Sequence, residues 1–70
     1  MQYLVVIERS DSSYGAYVPD LPGCIAVGNS VEEVRRDIRE AIVFHLEGLR
    51  ADDLPIPEPT SRVVYIEVAS

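Results

Sequence analysis

The sequence of 70 residues predicts an α+β fold of two layers: a four-stranded mixed sheet with one helix on one face, in the order β-β-β-α-β. Three observations carry that expectation. Short β-branched and aromatic runs occur near both ends of the chain, punctuated by polar or Pro-Gly turns. One capped segment in the middle repeats its apolar residues at spacings of three and four. A connector with proline at every second residue, Pro55-Ile56-Pro57-Glu58-Pro59, favours extended backbone between that segment and the last run.

Tyr3-Leu4-Val5-Val6-Ile7 reads as the first strand, closed by the polar Ser10-Asp11-Ser12-Ser13. It is apolar on both sides, with Leu4 and Val6 on one face and Tyr3, Val5 and Ile7 on the other, the pattern of a central strand. Tyr14 to Val18 forms the second strand of an antiparallel hairpin. Pro22-Gly23 suits the middle of a type II turn, because proline presets φ and glycine accepts a positive φ. Cys24 to Val27 then makes a short third strand. Ser30-Val31-Glu32-Glu33 is a capping box. The helix it opens carries Val31, Val34, Ile38, Ala41, Ile42, His45 and Leu49 on one stripe, with Glu33, Arg36, Glu40 and Glu47 opposite. Pro55 ends it, unless Gly48 marks an earlier stop. Arg62 to Val68 alternates as a last strand, with Val64, Ile66 and Val68 on one face; a right-handed crossover lays it parallel to the first.

One helix covers one side of such a sheet and leaves the other bare. Tyr3, Val5 and Ile7 are expected on the bare side, with tyrosines such as Tyr17 or Tyr65, as a partner-binding surface. Phe44 is a second anomaly, since it falls among the helix's acids. Two readings stand for it: the Pro55–Pro59 connector folds over it, or a partner does.

Composition narrows the function. Hydrophobic residues make up 47% of the chain, and there is one cysteine and one histidine, so neither an intramolecular disulfide nor a zinc cage staples it. A body this small buries only about 60% of its unfolded surface, and oligomerisation or a protein partner commonly supplies the rest. Twelve acids against 6 bases, all arginine, give a net charge of −6, which disfavours direct nucleic-acid binding. No apolar run is long enough to span a membrane, and the N-terminus lacks signal-peptide features. With an unpaired Cys24, a cytoplasmic location is expected.

Chemistry is hard to find. Cys24 and His45 are the only elements of a nucleophile pair and lack an orienting third group. A lone strand cysteine is more often a small buried hydrophobe, and His45 at the edge of an apolar stripe is more often packed than catalytic. Glu8, Glu40, Glu47 and Glu67 could only serve a divergent metal-dependent nuclease by converging on one sheet end, and Glu40 and Glu47 point away from it. No catalytic residue, metal or cofactor is expected.

Tyr14-Gly15-Ala16-Tyr17-Val18-Pro19-Asp20-Leu21-Pro22-Gly23-Cys24, followed by Gly28-Asn29-Ser30, Glu32-Glu33-Val34 and Phe44-His45-Leu46-Glu47-Gly48-Leu49 with the proline connector, resembles HicB-type antitoxins and their short single-domain relatives over essentially the whole chain. The resemblance implies a partial ribonuclease H-like fold without catalytic acids. It also implies an antitoxin of a type II pair that binds and occludes a small basic HicA-like toxin, an RNA-cleaving protein whose active histidine is its own. Asp20, Glu32 and Glu33 are then rim-charge candidates around Tyr3, Val5, Ile7 and Phe44. Residues 1–70 are expected to form a single domain without the C-terminal DNA-binding domain that many family members carry. The alternative is a homo-oligomeric structural or regulatory module with no toxin.

Overall fold

A computed structural model describes residues 1–69. Three strands, β1 (Val6–Arg9), β2 (Tyr14–Tyr17) and β3 (Ile25–Gly28), precede one helix, α1 (Val31–Ala51). The sheet has the order β1-β2-β3 and is antiparallel throughout. Each strand is displaced a little from its expected span. Pairing begins at Val6 against Tyr17; continuing that register would set Leu4 opposite Pro19, which has no N–H to offer. Val18 N–H donates instead to the Cys24 carbonyl at 3.2 Å, which closes the loop between β2 and β3.

That loop contains two successive turns, Leu21 N–H to Val18 O and Cys24 N–H to Leu21 O, both at 3.0 Å. Pro22-Gly23 occupies the centre of the second, and Gly23 takes φ +86°, as a type II turn requires. Between the turns Leu21 drops into the core with no exposed surface. Around it pack Ala16, Val18, Cys24, Val34 and Ile38, flanked by half-buried Tyr14, Ala26, Ala41, Ile42 and Leu46.

The helix starts as its sequence dictates. Ser30 Oγ accepts from Glu33 N–H at 3.1 Å, and the Glu33 carboxylate accepts from Asn29 N–H at 3.1 Å, satisfying amides that the first turn leaves free. Glu32 and Glu33 also favour the positive end of the helix dipole. Gly48 lies inside the helix, which runs on to Ala51. It stops where Asp53 takes the left-handed φ of 56° and Leu54 N–H reaches back to the Leu49 carbonyl at 2.8 Å.

Two expectations are corrected. Residues 62–68 are not in the sheet; they run extended and exposed, so the sheet has three strands and β1 is an edge rather than a central strand. Their departure is set just upstream, where the connector is held to the body. Tyr3 Oη donates to the Pro57 carbonyl at 2.6 Å, and Thr60 and Ser61 are tied to Asp20. The second correction concerns the sheet faces. Val6 pairs with Tyr17 and Ile7 with Ala16, so Tyr3, Val5 and Ile7 share the side of buried Ala16 and pack on the core beneath the helix. The bare side carries Val6, Tyr17, Ile25 and Val27.

The side the helix covers is set by room for it. Ala16 and Ala26 lie opposite each other on β2 and β3, and a Cβ on Gly28 would come within 3.2 Å of the Val34 nitrogen. Small residues under the helix let its backbone approach the sheet closely.

Candidate functional site

Among the described residues, two open apolar surfaces involve the sheet. The first is the bare sheet face, where antiparallel register brings Tyr17 beside Val6 on one side and Ile25 on the other, with Val27 two residues along β3. Ile25 is 65% and Val27 69% exposed, and Tyr17 shows 41% of its surface. Side chains of this type are normally withdrawn from water, and here they are gathered into a continuous exposed apolar patch on a pleated surface.

The second surface is a groove of about 470 Å³ between the β1 edge and the helix. Tyr3, Val5 and Ile7 line one wall; Ile38, Ile42 and Val43 line the other, joined by Arg35 and Arg39. The residues expected to face a partner from the bare side are therefore half-buried walls of this groove. It exists because the helix packs over β2 and β3 while β1, at the edge, has no neighbour beyond it.

Phe44 is 78% exposed. The connector does not fold over it; the aromatic ring stands with Arg36, Arg39, Glu40, Val43 and Glu47 around a shallow hollow of about 370 Å³ on the outer helix face. Of the expected rim charges, Glu32 is exposed as a rim residue should be, whereas Glu33 is engaged in the helix cap.

Asp20 has a different occupation from the one expected. Its carboxylate accepts four hydrogen bonds, from Thr60 N–H at 3.0 Å, Thr60 Oγ1 at 3.2 Å, Ser61 N–H at 3.0 Å and Ser61 Oγ at 2.9 Å. These donors, the Ser61 amide foremost, hold its carboxyl below the ordinary value. A carboxylate so occupied is a clamp for the chain after the connector. The Asp20-to-Thr60-Ser61 pairing spans 40 residues, which is why neither end revealed it alone.

The residues weighed for catalysis are apart in character. Cys24 is buried, and burial pushes its thiol above the ordinary value, away from the reactive thiolate. His45 is half-buried on the helix, and Glu8, Glu40 and Glu47 are exposed. Among the described residues no three His, Cys, Asp or Glu side chains are grouped so as to hold a metal ion. No described helix is long and apolar enough to cross a membrane.

Fold and surfaces together define a small α+β scaffold with exposed apolar faces. Residues 3–68 match the family described as HicB-like antitoxins of bacterial toxin-antitoxin systems, and the chain belongs to that family. It is 43% identical over 65 residues to a UPF0150 protein of Helicobacter pylori, covering 91% of this chain and 90% of that one. A UPF0150 protein of Thermoplasma acidophilum is 33% identical over 67 residues, covering 94% of this chain and 97% of that one. A Haemophilus phage HP1 protein, named only as an uncharacterized 14.9 kDa protein in the rep-hol intergenic region, is 38% identical over 66 residues; this chain spans half of its length. No solved structure matches the chain.

Proposed function

We propose that this protein is the antitoxin of a type II pair and that it neutralises a small basic HicA-like RNA-cleaving toxin by covering it, without chemistry of its own. The observation that carries the reading is the exposed Tyr17, Ile25 and Val27 patch on the sheet of a chain that belongs to the HicB-like family. A net charge of −6 suits a partner whose RNA-binding surface is basic, because complementary charge speeds encounter and suppresses wrong partners. Apolar contact on the sheet then supplies the lasting attraction. Glu8, beside Val6 on β1 and on the same face, and Glu32 at the helix start are the acids offered to the rim. Phe44 provides a second, separate contact on the outer helix face.

The finer architecture belongs to the same reading. A partial ribonuclease H-like sheet of four strands is reached when Arg62–Val68 pairs along β1, and the single domain of residues 1–70 is the whole toxin-binding unit. The chain acts in the cytoplasm, where the toxin's RNA targets are.

Co-expression with any small basic protein found encoded beside it tests the proposal. The wild-type chain is expected to restore growth. Ile25→Glu and Val27→Glu, both at exposed positions, are expected to lose that protection while keeping the helical circular dichroism of the wild type. Full protection by both variants, or a neighbouring protein that is harmless when expressed alone, overturns it.

A further inference from the structure

The outer stripe of α1 has the spacing of a helix seam. Arg36, Glu40, Val43 and Glu47 recur at intervals of four, three and four, the repeat by which two helices lie along each other. At about 100° per residue that stripe is opposite Val34 and Ile38, which bury the inner side of the helix against the sheet. All four residues are exposed, Val43 to 52%, and Phe44 borders them with 78% of its surface in water. A valine and an aromatic ring beside a hollow of about 370 Å³ make an apolar centre with a charged surround, the anatomy of a protein contact.

The charges on the stripe select the partner. The chain as a whole carries a net charge of −6, yet the hollow is lined by two arginines, Arg36 and Arg39, and two glutamates, Glu40 and Glu47, so this face is neutral. A basic partner is drawn to other parts of the chain and gains little here, whereas a second acidic copy meets no net repulsion. The charges are also ordered along the helix, with both arginines toward its N-terminal end and Glu47 toward its C-terminal end. A strip with that order is complementary to itself turned end for end, as a two-fold contact requires. Among the described residues Arg36 is paired with its neighbour Asp37 at 3.3 Å, in an exposed contact that leaves two thirds of the Arg36 side chain open.

We propose that α1 of one chain packs antiparallel on α1 of a second copy through this stripe, about a two-fold axis that passes between Ala41 and Ile42. In that register Glu40 of each helix is level with Val43 of the other, and Arg36 of each is level with Glu47 of the other. Opposite charges therefore meet at both ends of the seam and fix its register. Phe44 is on the same flank of the stripe as Glu40; its ring lies over the Glu40 methylenes of the second copy and leaves water. Glu40 keeps a counter-charge one turn away, in Arg36 of its own helix. The pairing leaves the sheet patch free and gives the separate contact at Phe44 its occupant. It stands or falls with no toxin present, and so apart from the toxin reading.

Sedimentation equilibrium of the full-length chain over a concentration series decides it. Phe44→Glu is expected to reach half the mass of the wild type with unchanged helical circular dichroism, a ratio that reads this contact whatever else joins copies. Arg36→Glu and Glu47→Arg, made singly, set like charges against each other across the seam and are expected to show the same halving. The double variant restores opposite charges in reversed order and is expected to regain the wild-type mass, a recovery that damage within one chain would not give. A Phe44→Glu variant of wild-type mass, single charge variants of wild-type mass, or a double variant no heavier than the singles each overturns the pairing. A mass that falls with Ile25→Glu and not with Phe44→Glu assigns self-association to the sheet face and overturns it as well.

Discussion

Val18 and Val34 are sealed in the core at 2% and 0% exposure, while Val64 and Val68 of the same chain stand 71% and 75% in water. The four side chains are chemically identical, so hydrophobicity cannot account for the difference. What the body has and the tail lacks is a set of local devices that bring elements together across short loops. The Ser10–Ser13 loop closes one hairpin, the paired turns around Leu21 close the next, and the Ser30 cap sets the helix over β2 and β3. The tail has only a connector and a clamp, which hold its root and place nothing beside it. Burial in a small domain therefore follows loop closure as much as side-chain type, and an apolar segment beyond the last closed loop stays exposed.

The largest test of that contrast is in the body. Leu21→Ala removes a side chain with no exposed surface and is expected to cost about 2–5 kcal/mol. That is a large share of the roughly 4–10 kcal/mol available to a domain of this size. Chemical denaturation checks it. Under the same conditions Tyr65→Ala should leave the midpoint where it was; a comparable loss from Tyr65 would show that the tail packs on its own body.

A middle-sized effect sharpens where body ends and tail begins. Tyr3→Phe deletes only the hydroxyl that donates to the Pro57 carbonyl, and a single such bond is worth about 1 kcal/mol. Faster amide exchange is expected at Ile56 and Glu58, with β2 and β3 unaffected. Equal loosening of the core strands would mean that the connector is an integral part of the body.

The smallest effect is a matter of pH. Asp20 has its carboxyl lowered, first by the Ser61 amide, so the folded state binds the proton less readily than the unfolded state. Its stabilisation is complete above the unfolded carboxyl value of 3.8 and is lost as the pH falls through the lower folded value. Acidification is thus expected to release Thr60 and Ser61 while the core persists, read as a chemical-shift change at those two amides. Asp20→Ala should show the released shifts already at neutral pH. Unmoved Thr60 and Ser61 resonances in both cases would remove the clamp.

Much of this was legible beforehand because it is local. The capping box at Ser30, the type II turn at Pro22-Gly23 and the helical stripe each depend on residues within a few positions of one another, and all three are found. The face assignment was not legible. Leu4, Val5, Val6 and Ile7 are equally apolar, and a strand's two sides exchange with a shift of one residue. A usable signal lay elsewhere, in the small Ala16, Ala26 and Gly28 that share the helix-covered side. Leu46, missing from the expected stripe, joins the core's margin, and Val31 on that stripe is left partly exposed.

By itself the sequence determined the two-layer class, the first antiparallel hairpin, the type II turn at Pro22-Gly23, the start of the helix, and the family. Each is written in short-range spacing or in a continuous motif, where backbone sterics and capping leave few choices. Only the tertiary structure decided that Tyr3, Val5 and Ile7 face the helix, that Asp20 holds Thr60 and Ser61, and that residues 62–68 leave the sheet. Those outcomes depend on register and on contacts between residues as far as 54 positions apart, and such contacts exist only once the body has closed around Leu21.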